Sequence, residues 1–154
     1  MEYRVKYIGL LITSLALLAG GCQKIQRLKT PRSEVVGLRL TEQTEAGVRL
    51  EMLLAIHNPN DVSLPLKQAQ YTVTLEQMGT FTFNKAANLT LPAEGMQTLM
   101  FAAAFATDGQ DISGFAWQAY GSVAYELPGE IRDLLTEYGV PLPTTNFRAS
   151  GWLQ

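Results

Sequence analysis

Cysteine and histidine are almost missing from this 154-residue chain, which has one of each, Cys22 and His57. A single cysteine excludes an intrachain disulfide. The chain also lacks a Ser/His/Asp arrangement, a phosphate-binding glycine loop and any metal-ligand spacing, so nothing in it points to catalysis. Charged residues are sparse at 17%, and from Glu34 onward thirteen acidic residues stand against six basic ones. That balance disfavours nucleic acid as a partner of this part of the chain. The longest apolar run, Tyr7 to Ala19, falls short of the about 20 residues a membrane-spanning helix needs. No repeat and no low-complexity segment occurs. What remains is a composition with 47% hydrophobic residues, sufficient for one domain to bury a core without covalent staples.

The clearest pattern lies between Val48 and Ile56. Val48, Leu50, Met52, Leu54 and Ile56 alternate with Arg49, Glu51, Leu53, Ala55 and His57, the period of a strand with one buried face. It ends in Asn58-Pro59-Asn60, a structural turn, because proline fixes its own φ and asparagine side chains bond to nearby backbone. Val35 to Leu40 is predicted as a strand before it. After it, Ala69, Tyr71, Val73 and Leu75 alternate, Gly79 breaks the run, and Phe81 and Phe83 resume it. Gln68 to Asn84 is therefore predicted as a hairpin. Gln97 to Ala106 is apolar on both faces and is expected to be covered on both.

Asp108 to Tyr120 carries Ile112, Phe115, Ala116 and Ala119 at helical spacing. An aspartate stands at its start and Gly121 at its end. It is predicted as one short amphipathic helix lying over Ala102, Ala104 and Ala106. Ser122 to Leu127 returns to alternation, Ile131 to Tyr138 fits either strand or helix, and Phe147 to Leu153 closes the chain as a strand in which Gly151 permits a bulge. Many short strands separated by turns predict a mainly β fold, an antiparallel β-sandwich with one short helix.

The first residues read as an address. Arg4 and Lys6 precede the apolar run, which meets Leu18-Ala19-Gly20-Gly21-Cys22, the order of a secretory signal peptide. It also resembles the lipobox of bacterial lipoproteins, with Ala19 where leucine is commoner. The resemblance implies that the Cys22 thiol takes a diacylglyceryl group and that, after cleavage, the new amine is acylated. The alternative is a plain signal peptide cleaved near Gly21, leaving a free thiol. Residues 1–21 are thus expected to be a signal peptide and 22–33 the lipidated cysteine with a basic tether containing Lys24, Arg27, Lys29 and Arg32. Residues 34–154 are expected to be the folded domain. By the same resemblance, Gln23 in place of aspartate favours the outer over the inner membrane.

The domain itself resembles the type 2 late embryogenesis abundant family, also called the water-stress and hypersensitive-response domain. The residues that carry this are Leu50 to Ile56 running into Asn58-Pro59-Asn60, then Leu64-Pro65-Leu66 and Tyr71 to Leu75. Pro92-Ala93-Glu94-Gly95 follows, then Tyr125-Glu126-Leu127-Pro128-Gly129, Leu142-Pro143, Phe147 and Gly151. Pro128 before Gly129 departs from the family's Tyr-x-Leu-x-Gly. The resemblance spans Val35 to Leu153 and implies a sandwich of fibronectin III or immunoglobulin shape, a link to desiccation and other stress, and no enzymatic activity.

Single residues are read in that light. His57 is a surface histidine beside a turn rather than a ligand or base. Asp108 and Asp111 are caps rather than a catalytic pair. Asp61 with Asn58 and Asn60 lacks the spaced carboxylates and closing glutamate of a calcium loop. Asn88-Leu89-Thr90, though a glycosylation pattern, is read as strand. Trp117 and Trp152 are read as core anchors. No cofactor and no metal is expected. The expected function is a lipid-anchored envelope module that binds or scaffolds a protein. The alternative is a carrier or chaperone for an apolar ligand.

Overall fold

The computed structural model describes residues 28–154. The alternation from Val48 to Ile56 forms strand β2 (Gly47–His57), and its five apolar residues are all buried. It lies in the middle of a three-stranded antiparallel sheet, between β1 (Arg32–Gln43) and β5 (Met96–Ala106). The remaining strands are β3 (Leu64–Leu75), β4 (Gly79–Leu91), β6 (Ala116–Tyr125) and β7 (Thr144–Trp152). They form a second antiparallel sheet in the order β4-β3-β6-β7. A short helix, α1 (Glu130–Glu137), joins β6 to β7. The two sheets face each other over one apolar core, an antiparallel sandwich.

Inward-facing residues change parity within β3, from Leu64 and Leu66 to Ala69, Tyr71, Val73 and Leu75. An irregularity between Leu66 and Gln68, in the pairing with both neighbours, absorbs the change. One extra residue lets both sets face the core. It also turns Lys67 outward, 3.0 Å from the Glu126 carboxylate. Tyr71 ties the sheets together. Its ring lies 4.7 Å from that of Phe101, and its hydroxyl donates to the Ala102 carbonyl at 2.6 Å. Burial raises the Tyr71 pKa above the usual phenol value.

Asp108 to Tyr120 does not form a helix. Asp111 accepts an N–H bond from Ser113 at 2.9 Å, so it caps a turn, and these Ser113 bonds hold its carboxyl below the usual carboxylate range. The chain then enters β6, because a second, period-2 pattern runs through Trp117, Ala119, Val123 and Tyr125. β6 satisfies its backbone by pairing with β3, from Leu75 opposite Trp117 onward. The helix lies instead at Glu130–Glu137, in the stretch from Ile131 to Tyr138 compatible with either state. Glu130 and Asp133 stand in its first turn, where acids suit the helix dipole. Its end is a Schellman turn through Gly139 (φ 62°), with Val140 N–H on the Leu135 carbonyl and Gly139 N–H on that of Thr136.

The face of β5 bearing Met100, Ala102, Ala104 and Ala106 is open rather than covered. Since Ala104 points to solvent, Ala104→Trp is expected to shift stability by no more than about 0.5 kcal/mol, as read from the urea midpoint. Trp152 is also outside the core at 69% exposure, whereas Trp117 and Leu153 are buried. No bulge occurs at Gly151, whose pairing with Trp117 is regular. An added Cβ there would lie 2.9 Å from the Trp117 indole, so the glycine makes room for the ring.

Candidate functional site

The turn after β2 carries the densest side-chain bonding in the described residues' loops. Asn58 is fully buried. Its amide nitrogen donates to the carbonyls of Val62 (2.8 Å) and Pro92 (2.9 Å). Its oxygen accepts from the Asn60 backbone N–H (3.1 Å) and the Asn60 side-chain amide (2.9 Å). Those four bonds use the full capacity of a carboxamide. The Asn58 N–H donates to the Gly95 carbonyl and the Glu94 N–H to that of Asn60, so the turns at 58–60 and 92–95 are one unit.

Asn60 then reaches the incoming chain. The Lys29 N–H donates to the Asn60 side-chain oxygen at 2.7 Å, and the Asn60 amide donates to the Lys29 carbonyl at 2.8 Å. A side-chain amide thus stands in for a paired strand. Two residues on, the buried Thr145 hydroxyl donates to the Pro31 carbonyl at 2.7 Å and lies 2.9 Å from the Ser33 hydroxyl. The chain from Lys29 is therefore stapled to both sheets, through Asn60 after β2 and Thr145 in β7. Lys29 to Ser33, expected to belong to the tether, are part of the folded unit instead, and Pro31 is buried. Cys22 and the residues expected to form a signal peptide lie outside the described residues.

Sequence reasoning missed Lys29 and Thr145. Thr145 carries a faint signal, a polar residue sharing the inward parity of Phe147. Lys29 carries none, because its backbone rather than its side chain is recognised. His57 is exposed on the outer face, opposite Arg32 and Met96 in register.

A second feature is an open groove of about 600 Å³ on the outer face of the larger sheet. Its walls are two cross-strand rows, Thr72–Tyr120–Arg148 and Gln70–Ser122–Asn146. Between them runs the backbone of Tyr71, Gly121 and Phe147, whose side-chain positions face the core. The lining offers hydrogen-bonding groups, one cation and one exposed ring, and no carboxylate. Such a surface can hold a polar partner through hydrogen bonds. Among the described residues no group of three or more His, Cys, Asp or Glu side chains is placed to hold a metal ion. No described helix is long and apolar enough to cross a membrane.

No family model matches the chain, and no curated protein matches it. Solved structures match its shape. One is a solution structure provisionally described as a late embryogenesis abundant protein, with a TM-score of 0.59 at 18% identity over 96% of this chain and 85% of that one. The fold is late embryogenesis abundant-like. A solution structure of an Arabidopsis thaliana protein aligns with a TM-score of 0.57 at 14% identity, over 88% of each chain. An X-ray structure of a structural-genomics target aligns with a TM-score of 0.57 at 13% identity, over 79% of this chain and 85% of that one. Identities this low speak for the fold of the late embryogenesis abundant-like sandwich and leave its chemistry to its own residues.

Proposed function

We propose that this late embryogenesis abundant-like sandwich is a non-enzymatic binding or scaffold module, held by a lipidated Cys22 in the bacterial cell envelope and linked to desiccation or other stress. The observation that carries the reading is the clasp on Lys29, seven residues after Cys22. A domain gripped so close to an acylated cysteine stays beside the membrane. Two or more acyl chains hold a protein stably where one does not. Gln23 after the cysteine favours the outer membrane, facing the periplasm. The stress link leans on the resemblance of the sequence and on the description of a structural neighbour.

The carrier reading has less support. It calls for an apolar pocket with a mouth, and the groove across Gly121 is open and walled by polar side chains. Labelled fatty acid is expected to enter the wild-type protein and not Cys22→Ser, which should remain unprocessed or appear in the soluble fraction. Wild-type protein without label would end the anchor reading. Cells lacking the protein are expected to survive drying less well than cells restored with it, and equal survival would remove the stress link.

A further inference from the structure

We infer that α1 rests on the bilayer that holds the anchor, so that the sandwich docks end-on through an apolar helix face rather than hanging free. The inference rests on the lipid-anchored reading above. α1 presents Ile131, Leu134, Leu135 and Tyr138 at positions i, i+3, i+4 and i+7, one stripe of a helix. No residue of α1 is buried against the sandwich. Ile131, Leu134 and Tyr138 are 46%, 53% and 75% exposed, and Val140 just beyond is 46% exposed. Isolated exposed apolar residues are ordinary, but a contiguous stripe on an unpartnered helix calls for cover.

The topology places this stripe where the chain arrives. β1 begins at Arg32, opposite the end of β2 at His57, and Thr145 at the start of β7 bonds to Pro31. α1 joins the end of β6 to the start of β7, so it lies at that same end of the sandwich. Lys29 stands seven residues beyond Cys22, a span of at most about 23–25 Å when fully extended. That is about two helix diameters. The anchor therefore keeps the α1 end close to the membrane surface.

Charge agrees with this orientation. Lys29 and Arg32 are exposed at the arriving end, and Lys24 and Arg27 precede them. Of the acids of α1, Asp133 falls on the side of the helix away from the stripe by the 3.6-residue period, and Glu130 and Glu137 stand at its flank beside Leu134. The occupant is thus a phospholipid headgroup and acyl boundary, where amphipathic helices bury an apolar face, with the tether cations against anionic headgroups.

The test uses the mature lipoprotein in vesicles of phosphatidylethanolamine and phosphatidylglycerol. Acylated Cys22 leaves no other thiol, so Leu134→Cys takes an environment-sensitive fluorophore at one position. Its emission is expected to shift to the blue and to be quenched by lipid carrying a nitroxide at headgroup depth. The same probe at Glu45→Cys, in the turn at the far end of β1, is expected to do neither. Adding Ile131→Glu and Tyr138→Glu should return the Leu134 probe to its water-exposed signal with the thermal midpoint unchanged. An unshifted probe in protein that carries fatty acid overturns the docking and leaves the anchor standing. A blue shift without lipid quenching assigns the stripe to a second copy and also overturns it. Protein without fatty acid ends both readings.

Discussion

Gly121→Ala is expected to lower stability by about 3 kcal/mol or more, the upper part of the range for overpacking a core. Gly121 sits in β6 between Tyr71 of β3 and Phe147 of β7. A Cβ at this position would lie 2.3 Å from the Gln70 carbonyl oxygen, 2.6 Å from the Phe147 ring and 2.9 Å from the Tyr71 Cα. A flexible side chain could turn away, but two of those three atoms are backbone. Accommodating the methyl means separating β3 from β6 in the middle of the larger sheet. Phe147→Leu relieves only the ring, so it is not expected to rescue Gly121→Ala. Urea unfolding measures the effect: the midpoint should fall with the slope unchanged. An unchanged midpoint would mean that the two strands do not approach this closely in solution. A domain of this kind has only about 5–15 kcal/mol of stability, so the variant should also be prone to aggregate when expressed.

Asn58→Ala should have an effect of similar size through a different mechanism. It strips the donor from two carbonyls, those of Val62 and Pro92, and the acceptor from the Asn60 N–H and side-chain amide. Each buried group left without a partner costs about 1–3 kcal/mol, less where water can reach it. A total on the order of 3–4 kcal/mol is expected from these terms. Asn58→Asp separates hydrogen bonding from packing, because the shape is kept. The introduced carboxyl still accepts from Asn60, but its second oxygen faces two carbonyls. That environment disfavours the charged form and raises the folded-state pKa. With a raised folded pKa, the variant is most stable below the unfolded pKa and loses stability as pH rises through the folded value. A stability loss independent of pH would show that the Val62 and Pro92 bonds matter little. Asn58→Ala also removes the acceptor that orients the Asn60 amide on Lys29, so trypsin should cut after Lys29 faster than in wild type, whereas Asn58→Asp keeps that acceptor.

The strands with one dry face were readable in advance where the alternation had no competitor. In β2, five apolar residues at period 2 permit one burial pattern only, and each of them is buried. Ala116 to Tyr120 had two competing patterns. Helical spacing through Phe115, Ala116 and Ala119 was as good as the strand spacing through Trp117, Ala119 and Val123. The tie is broken by β3, which offers a full row of backbone partners from Leu75 back to Leu66. Hydrogen bonds to a strand some fifty residues away in the chain leave no local trace.

The candidate site divides in the same way. Asn58, Pro59 and Asn60 announce a turn by their own chemistry. That Asn60 would be spent on the backbone of Lys29 could not be read, because backbone recognition is blind to side-chain type. Trp152 shows the converse error: a large aromatic ring invites a core assignment, yet its parity in β7 points it outward beside the buried Leu153.

By itself, then, the sequence determined which faces are apolar, where turns interrupt them, and that the result is an antiparallel sandwich. These follow from side-chain period and from the backbone limits of proline, glycine and asparagine. Only the tertiary structure decided which of two apolar faces is buried in β5, where the one described helix forms, and how the incoming chain is clasped at the α1 end. Those outcomes depend on which distant groups remain unpaired when the sheets close, and burial and hydrogen bonding are settled between neighbours in space rather than along the chain.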